Sequence, residues 1–229
     1  MTNIKQKQYK DLPIQVLAPW ANIVLKTKIP DDVFADLLSM YSEVMKSNWE
    51  SHGQTLVGQI EEEPRIDTAI QKNHGDWIGF CIQMIQKFIA IQGNSNQVSD
   101  TTETKAEKSE KFLVHIKSMW FVNQKAEEYN PAHVHSNCSI SAIAYLKTPK
   151  NKIKSKKSFY DTDGKISFIN NAGSDSRWSV PILNLEPVAQ DFYIFPSGQT
   201  HLVYPYKSSN PQDLRVSISF NADIKNNNN

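Results

Sequence analysis

The second half of the chain is dominated by short apolar segments of the kind that form β-strands. β-Branched and aromatic residues fill six stretches separated by turn residues: FLVHIKSMWFVN, CSISAIAYLK, GKISFIN, DFYIFP, THLVYPY and LRVSISFNAD. Short strands at this spacing indicate an antiparallel sandwich or barrel. A chain built this way folds around a β core, whatever precedes it.

The first half carries helical patterns instead. Residues 14–29 mix β-branched and aromatic side chains and predict one strand or two. Apolar residues recur at helical spacing over 31–47 and 75–92, which predicts two amphipathic helices. Residues 93–110 are almost wholly polar and predict a mobile connector. The predicted fold class is therefore α+β, mainly β with N-terminal helices.

Composition limits the partners and the cellular compartment to be expected for the chain. The 25 basic residues nearly balance the 24 acidic ones, so the net charge of +1 provides no field to gather nucleic acid or anionic membrane. Cys81 and Cys138 match no zinc or disulfide spacing, which predicts free thiols in a reducing compartment. No signal peptide or membrane span is visible. We expect a cytoplasmic protein with no membrane partner.

Three histidines stand out as candidate metal ligands. His133 and His135 are separated by one residue where a loop enters a predicted strand, so both side chains would point to the same face. His201 follows the tight turn Pro196-Ser197-Gly198 and begins another predicted strand. Either motif alone is more typical of structural histidines than of a metal site. Together they predict a metal site, since neutral imidazole suits Fe, Zn, Cu and Ni.

The strand LRVSISFN has one apolar and one polar face. Arg215, Ser217, Ser219 and Asn221 alternate with apolar residues. A polar face turned into a small barrel needs a ligand or solvent, because an unpaired buried guanidinium is costly. A dicarboxylate would suit it, since arginine binds a carboxylate bidentately. Turned outward, the same face would merely be solvated.

In order and spacing these motifs resemble the Fe(II)/2-oxoglutarate-dependent oxygenases, most closely the bacterial and phage group with H-x-H. The matching segments are MWFVN, HVHSNCSISAIAYLKTP, FPSGQTHLVYP and RVSISFN, with R-x-S fourteen residues after the distal histidine. The resemblance covers residues 118–223 well and the N-terminal part more loosely. It implies a double-stranded β-helix (jelly-roll, cupin-like) in a single domain over 1–229, with 1–110 as helical support and 111–224 as core.

The resemblance also implies roles for individual residues. His133, His135 and His201 would bind Fe(II), while Arg215 and Ser217 would bind the distal carboxylate of 2-oxoglutarate. Asn123 falls where many relatives place a tyrosine that binds this co-substrate, and Tyr145 either lines the same pocket or packs in the core. The activity implied is hydroxylation of a C–H bond with O₂, giving succinate and CO₂, with ascorbate as a helpful reductant.

One departure concerns the third ligand. Most of the wider superfamily has H-x-D or H-x-E, so the usual triad of two histidines and a carboxylate would become three histidines here. Asp161 or Asp163 in YDTDG is the alternative source of a carboxylate.

Two other functions remain open from the sequence. A cupin-type metalloprotein without 2-oxoglutarate would share H-x-H and P-x-G-x-x-H, although the cupin glutamate is missing. A non-enzymatic β-sandwich would carry the histidines by accident. The substrate, whether a protein residue, a nucleobase or a small molecule, cannot be read from the fold. A homodimer is the expected assembly, and the host cytoplasm the expected location if a phage encodes the chain.

Overall fold

The computed structural model describes residues 14–20, 22–95, 112–154, 161–170 and 181–226. Two strands come first, then three helices and a short 3₁₀ turn, and then eight further strands. The first part comprises β1 (Ile14–Trp20), β2 (Asn22–Lys28), α1 (Asp31–Lys46), the turn Gly53–Thr55, α2 (Thr68–Asn73) and α3 (Gly75–Ser95). The second part comprises β3 (Phe112–Gln124), β4 (Asn130–His133), β5 (Ile140–Lys147), β6 (Ile166–Ile169), β7 (Ile182–Leu185), β8 (Asp191–Pro196), β9 (His201–Val203) and β10 (Arg215–Asn226).

The strands form two sheets. The larger has the order β1-β2-β8-β5-β10-β3 and the smaller the order β4-β9-β6-β7. All strand pairs are antiparallel. The expected class, mainly β with helices near the N-terminus, is confirmed.

The helices cover one face of the larger sheet. Buried residues recur along α1 at helical spacing, namely Val33, Leu37, Met40 and Val44. They share a core with α3 and with the apolar face of β10, whose buried members are Val216, Ile218, Phe220 and Ala222. This packing assigns one face of β10 to the helices and leaves its alternate residues for the other side.

The other face of the larger sheet meets the smaller sheet. Apolar side chains of both sheets fill part of the space between them: Val24, Tyr145, Ile166, Phe168, Tyr193, Phe195 and Val203. The polar face of β10 points into this same space, since Ser219 and Asn221 line a cavity there. The polar side chains of the interior therefore lie between the two sheets.

Several details differ from the sequence prediction. The second predicted helix continues to Ser95, three residues into the expected connector; residues 96–110, which make up the rest of that connector, lie outside the described residues. Neither α2 nor β7 was predicted, because six and four residues are too few for a clear period. None of the helices that the structure describes is long and apolar enough to cross a membrane.

Candidate metal centre

Three imidazole rings converge at one point between the sheets. One ring nitrogen of each of His133, His135 and His201 lies within 4.8 Å of the others. The Nε2 atoms of His135 and His201 are 3.3 Å apart. The ring centroids of His133 and His201 are 4.2 Å apart. Within the described residues these three form the one such group of histidine, cysteine or carboxylate side chains.

Backbone carbonyls fix the orientation of two of the rings. The Nδ1 atom of His133 lies 2.7 Å from the carbonyl oxygen of Pro131, and Nδ1 of His201 lies 3.0 Å from that of Gln199. A carbonyl can only accept, so each Nδ1 carries the hydrogen and leaves the Nε2 lone pair free. Metal-binding histidines are usually held in this way.

The site also keeps the rings neutral. Burial lowers the pKa of His133, that of His135 to about 4, and that of His201 well below its usual value. Mutual repulsion adds to the effect, with His133 acting on both other rings. Each ring is therefore neutral near neutral pH and has one nitrogen lone pair for a metal, as a metal ligand requires.

The H-x-H pair reaches the site differently from the way the sequence suggested. Strand β4 ends at His133, and His135 lies in the loop beyond it. The period of a strand therefore does not bring the two rings together. Instead, the backbone N–H of His135 donates to Ser197 O at 2.9 Å, which ties the loop to the turn before His201. The placement of His201 at the start of β9, opposite His133, agrees with the prediction.

The rings open into a cavity of about 240 Å³. Its walls come from β3, β5 and β10 of the larger sheet, from the smaller sheet, and from a loop that includes residues 52–63. Ser219 and Asn221 supply polar groups, and Trp120 is an aromatic member of the lining. The cavity is therefore mixed in character, with the three imidazoles on one wall.

Arg215 lies further along β10 and is 3% exposed. Its guanidinium donates to Gln124 Oε1 and, at 2.5 Å, to the carbonyl oxygen of Gly164. It lines a small separate cavity together with Gly164 and Glu186, not the one that holds the histidines. No carboxylate among the described residues lies within ion-pairing distance of it.

Tyr145 and Ser217 are paired neighbours on β5 and β10. Both are buried. The Tyr145 hydroxyl has no hydrogen-bond partner among the described residues. Burial raises the pKa of Tyr145 to about 12, while the charge of Arg215 opposes the rise. This hydroxyl is thus a buried donor without an acceptor, close to a guanidinium without a carboxylate.

Asn123 does not reach the cavity. Its Oδ1 accepts from the Tyr41 hydroxyl at 3.0 Å, and its Nδ2 lies 3.3 Å from Glu62 Oε2. Residues alternate across β3, so Asn123 faces helix α1, whereas Trp120 and Val122 line the cavity. Its predicted role in binding the co-substrate is corrected to a structural one.

Two acidic residues proposed as alternative ligands also lie elsewhere. The backbone N–H of Asp163 donates to the Asp161 carboxylate at 3.2 Å within their own turn. Neither belongs to the histidine group.

Sequence reasoning missed three residues around the site. Gln124 pairs with Arg215 across β3 and β10, and alternation from that pairing would have indicated it. Trp120 and Glu63 line the cavity. Trp120 lies in the apolar stretch 119–122 of β3, and Glu63 lies in a loop, so neither residue could be picked out from the sequence.

A largely antiparallel β protein with three convergent, neutral imidazoles in an internal cavity has the construction of a mononuclear metalloenzyme. Residues 118–221 match the family model described as "Putative 2OG-Fe(II) oxygenase". No curated protein matches the sequence.

Solved structures share the fold. A Pseudomonas putida prolyl-4-hydroxylase is 14% identical, with a TM-score of 0.50 over 87% of this chain and 92% of that one. A prolyl hydroxylase from Trichoplax adhaerens, solved with a hypoxia inducible factor peptide fragment, is 10% identical, with a TM-score of 0.54 over 89% and 83%. The carbocyclase SnoK from nogalamycin biosynthesis is 9% identical, with a TM-score of 0.53 over 91% and 82%.

Residues 118–221 are therefore similar to the 2OG-Fe(II) oxygenases, a family of oxidoreductases. The cofactors of this family are Fe(II), 2-oxoglutarate and O₂.

Proposed function

We propose that the chain hydroxylates a C–H bond of its substrate on a double-stranded β-helix (jelly-roll) core, with release of succinate and CO₂. The observation that carries the proposal is the convergence of three neutral imidazoles within 4.8 Å in a cavity between two antiparallel sheets. The chain acts as a single domain over 1–229, with 1–110 as support and 111–224 as core. A homodimer and a location in the cytoplasm, or in the host cytoplasm for a phage protein, remain predictions.

His133, His135 and His201 are the proposed iron ligands, each through Nε2. The fixed Nδ1–H groups of His133 and His201 support this choice. When bound, the iron and 2-oxoglutarate supply the oxidising chemistry, and the protein supplies orientation and exclusion of water. Because the three ligands are neutral, the centre is one charge more positive than a site with a carboxylate ligand.

Arg215, Ser217 and Tyr145 are the proposed binding groups for the distal carboxylate of 2-oxoglutarate. Arg215 currently donates to two neutral oxygens, and replacing one of them with a carboxylate would give a stronger, charge-assisted bond. The unpartnered Tyr145 hydroxyl would gain an acceptor in the same step. These three side chains therefore have the chemistry that a carboxylate group requires.

The substrate itself is unidentified, and proline residues, nucleobases and small molecules all remain candidates. Hydroxylation requires the target carbon to lie close to the iron, so the substrate has to enter the cavity that Trp120 and the three histidines line.

The direct test measures succinate from 2-oxoglutarate with Fe(II) and ascorbate, including turnover without substrate. Arg215→Ala should raise the KM for 2-oxoglutarate roughly 10- to 100-fold, since bonds to a charged group contribute about 1.5–3 kcal/mol. Exposed Arg65 is the matched control, and Arg65→Ala should leave this KM unchanged.

Metal-dependent activity that does not require 2-oxoglutarate and is unaffected by Arg215→Ala would instead indicate a cupin-type enzyme. Absence of both metal binding and turnover would indicate a non-enzymatic β-sandwich.

A further inference from the structure

Glu63 is a buried acid on the wall of the same cavity, and the proposed iron chemistry does not use it. Only 1% of the Glu63 surface is exposed to solvent. Neither carboxyl oxygen has a hydrogen-bond partner among the described residues. A buried polar group without a hydrogen-bond partner destabilises the fold unless a ligand or another group binds to it.

The backbone holds Glu63 firmly in place. Its carbonyl oxygen accepts from the His52 N–H at 2.8 Å, and the carbonyl of the next residue, Pro64, accepts from Phe121 N at 2.9 Å. Gly53 allows the close approach of the side chain, because a Cβ at that position would lie only 2.9 Å from Glu63 Oε2. The carboxyl position is therefore set by the fold.

The charges nearby do not neutralise this carboxyl. Burial raises the pKa of Glu63 to about 7, and the like charge of Glu128 contributes to the rise. The nearby cation Lys125 is bound to Glu61 at 2.7 Å and to Glu62 at 3.4 Å. Among the described residues, no lysine or arginine forms an ion pair with Glu63. A cation from outside would supply the missing partner.

Two aromatic rings line the same cavity as Glu63. Trp120 and His52 both line the cavity, with ring centroids 4.6 Å apart. Burial, together with the positive charge of Arg65, lowers the pKa of His52, so its ring is neutral and adds no charge to this wall. Tryptophan is the best aromatic partner for a cation. An acid and an indole that line the same cavity are the two parts of a site for an organic cation.

We propose that Glu63 and Trp120 form a subsite that recognises a substrate carrying an ammonium or guanidinium group and orients its carbon chain toward the three histidines. This inference rests on the proposed function, because it names the substrate class of the same cavity. It makes Glu63 a specificity-determining residue. The substrate can be a free amine or guanidine, or the same group on a peptide side chain.

The test uses methylguanidinium and n-butylammonium as probes, with N-methylurea and 1-butanol as neutral counterparts. Binding is followed by the indole N–H resonance of Trp120 in the metal-free chain. It is also followed by paramagnetic broadening of the probe protons in the anaerobic Fe(II)–2-oxoglutarate form. Both cations should bind and both neutral molecules should bind far more weakly. Free arginine and a capped arginine peptide then distinguish the two sources.

Glu63→Gln should weaken cation binding roughly tenfold or more, since a hydrogen bond to a charged group contributes that much. Glu61→Gln is the matched control, because it removes the same charge from an exposed position in the same loop. Glu63→Asp, which keeps the charge, provides a second variant should Glu63→Gln fail to fold, and it should bind with intermediate affinity.

Equal binding of cations and neutral probes would overturn the inference. So would equal weakening by the Glu61 and Glu63 variants, because it would reveal only a long-range field. These results can be distinguished from failure of the proposed function, which would appear as loss of Fe(II) or 2-oxoglutarate binding by the unmodified chain.

Discussion

Glu63 reduces the stability of the fold that contains it. The folded chain keeps the Glu63 proton up to about pH 7, while the unfolded chain releases it near the ordinary value of 4.5. The folded state thus binds more protons in this window, so stability falls as pH rises through it. Stabilities of natural proteins are often reduced in this way at functional residues.

We expect Glu63→Gln to be more stable than the unmodified chain above about pH 7, by about 1–3 kcal/mol. Urea unfolding between about pH 5 and 8 would measure this difference. The buried histidines contribute a slope of the opposite sign, and comparing the two proteins cancels it. A pH-independent difference would show that the Glu63 carboxyl is paired or hydrated in solution.

At the scale of elements, β3 decides which residues reach the site. Met119 and Phe121 pack in the core that the helices share, while Trp120 and Val122 face the cavity. Over residues 119–122 both faces are apolar and buried, so this part of β3 has no polar–apolar alternation to mark its inner side. The resemblance in spacing from His133 indicated Asn123, which lies on the face of β3 that is turned away from the cavity. A register shift of one residue exchanges the two faces completely.

Asn123→Ala should therefore lower the free energy of unfolding by about 1–3 kcal/mol, because the Tyr41 hydroxyl and the Glu62 carboxylate lose their bonds to the amide. The KM for 2-oxoglutarate should not change. Chemical denaturation and steady-state kinetics check the two parts. A raised KM without loss of stability would contradict the structural role assigned to Asn123.

Sequence reasoning succeeded where the signals were local. The helices at 31–46 and 75–95 follow a clear helical period, and most of the longer strands are bounded by turn residues. It failed where tertiary contacts determine the position of a residue. His135 lies beyond the end of β4 and is positioned by a bond to Ser197, which no local pattern encodes. Glu63 is a loop residue whose burial depends on the packing of its loop against β3.

At the scale of the whole molecule, the histidines come from chain segments far apart in sequence. His133 ends β4 and His201 starts β9, and the two strands pair with each other. A metal ion bound to both would link these segments in the folded state only. Its binding free energy would then add to the stability of the fold.

We expect Fe(II), or Ni(II) as an air-stable substitute, to raise the Tm by about 5–10 °C at roughly 100 times its Kd. His201→Ala should abolish the shift, and a chelator should reverse it. Exposed His115 provides the control, since His115→Ala should respond like the unmodified chain. An unchanged shift in the His201 variant would place the bound metal elsewhere.

The two sheets contribute different halves of the proposed site. His133 and His201 belong to the four-stranded sheet, whereas Tyr145, Arg215 and Ser217 belong to the six-stranded sheet backed by helices. A molecule bound to a metal on the four-stranded sheet and to the Arg215 guanidinium on the six-stranded sheet would link the two sheets. Changes in the distance between the sheets would then control how readily such a molecule enters and leaves.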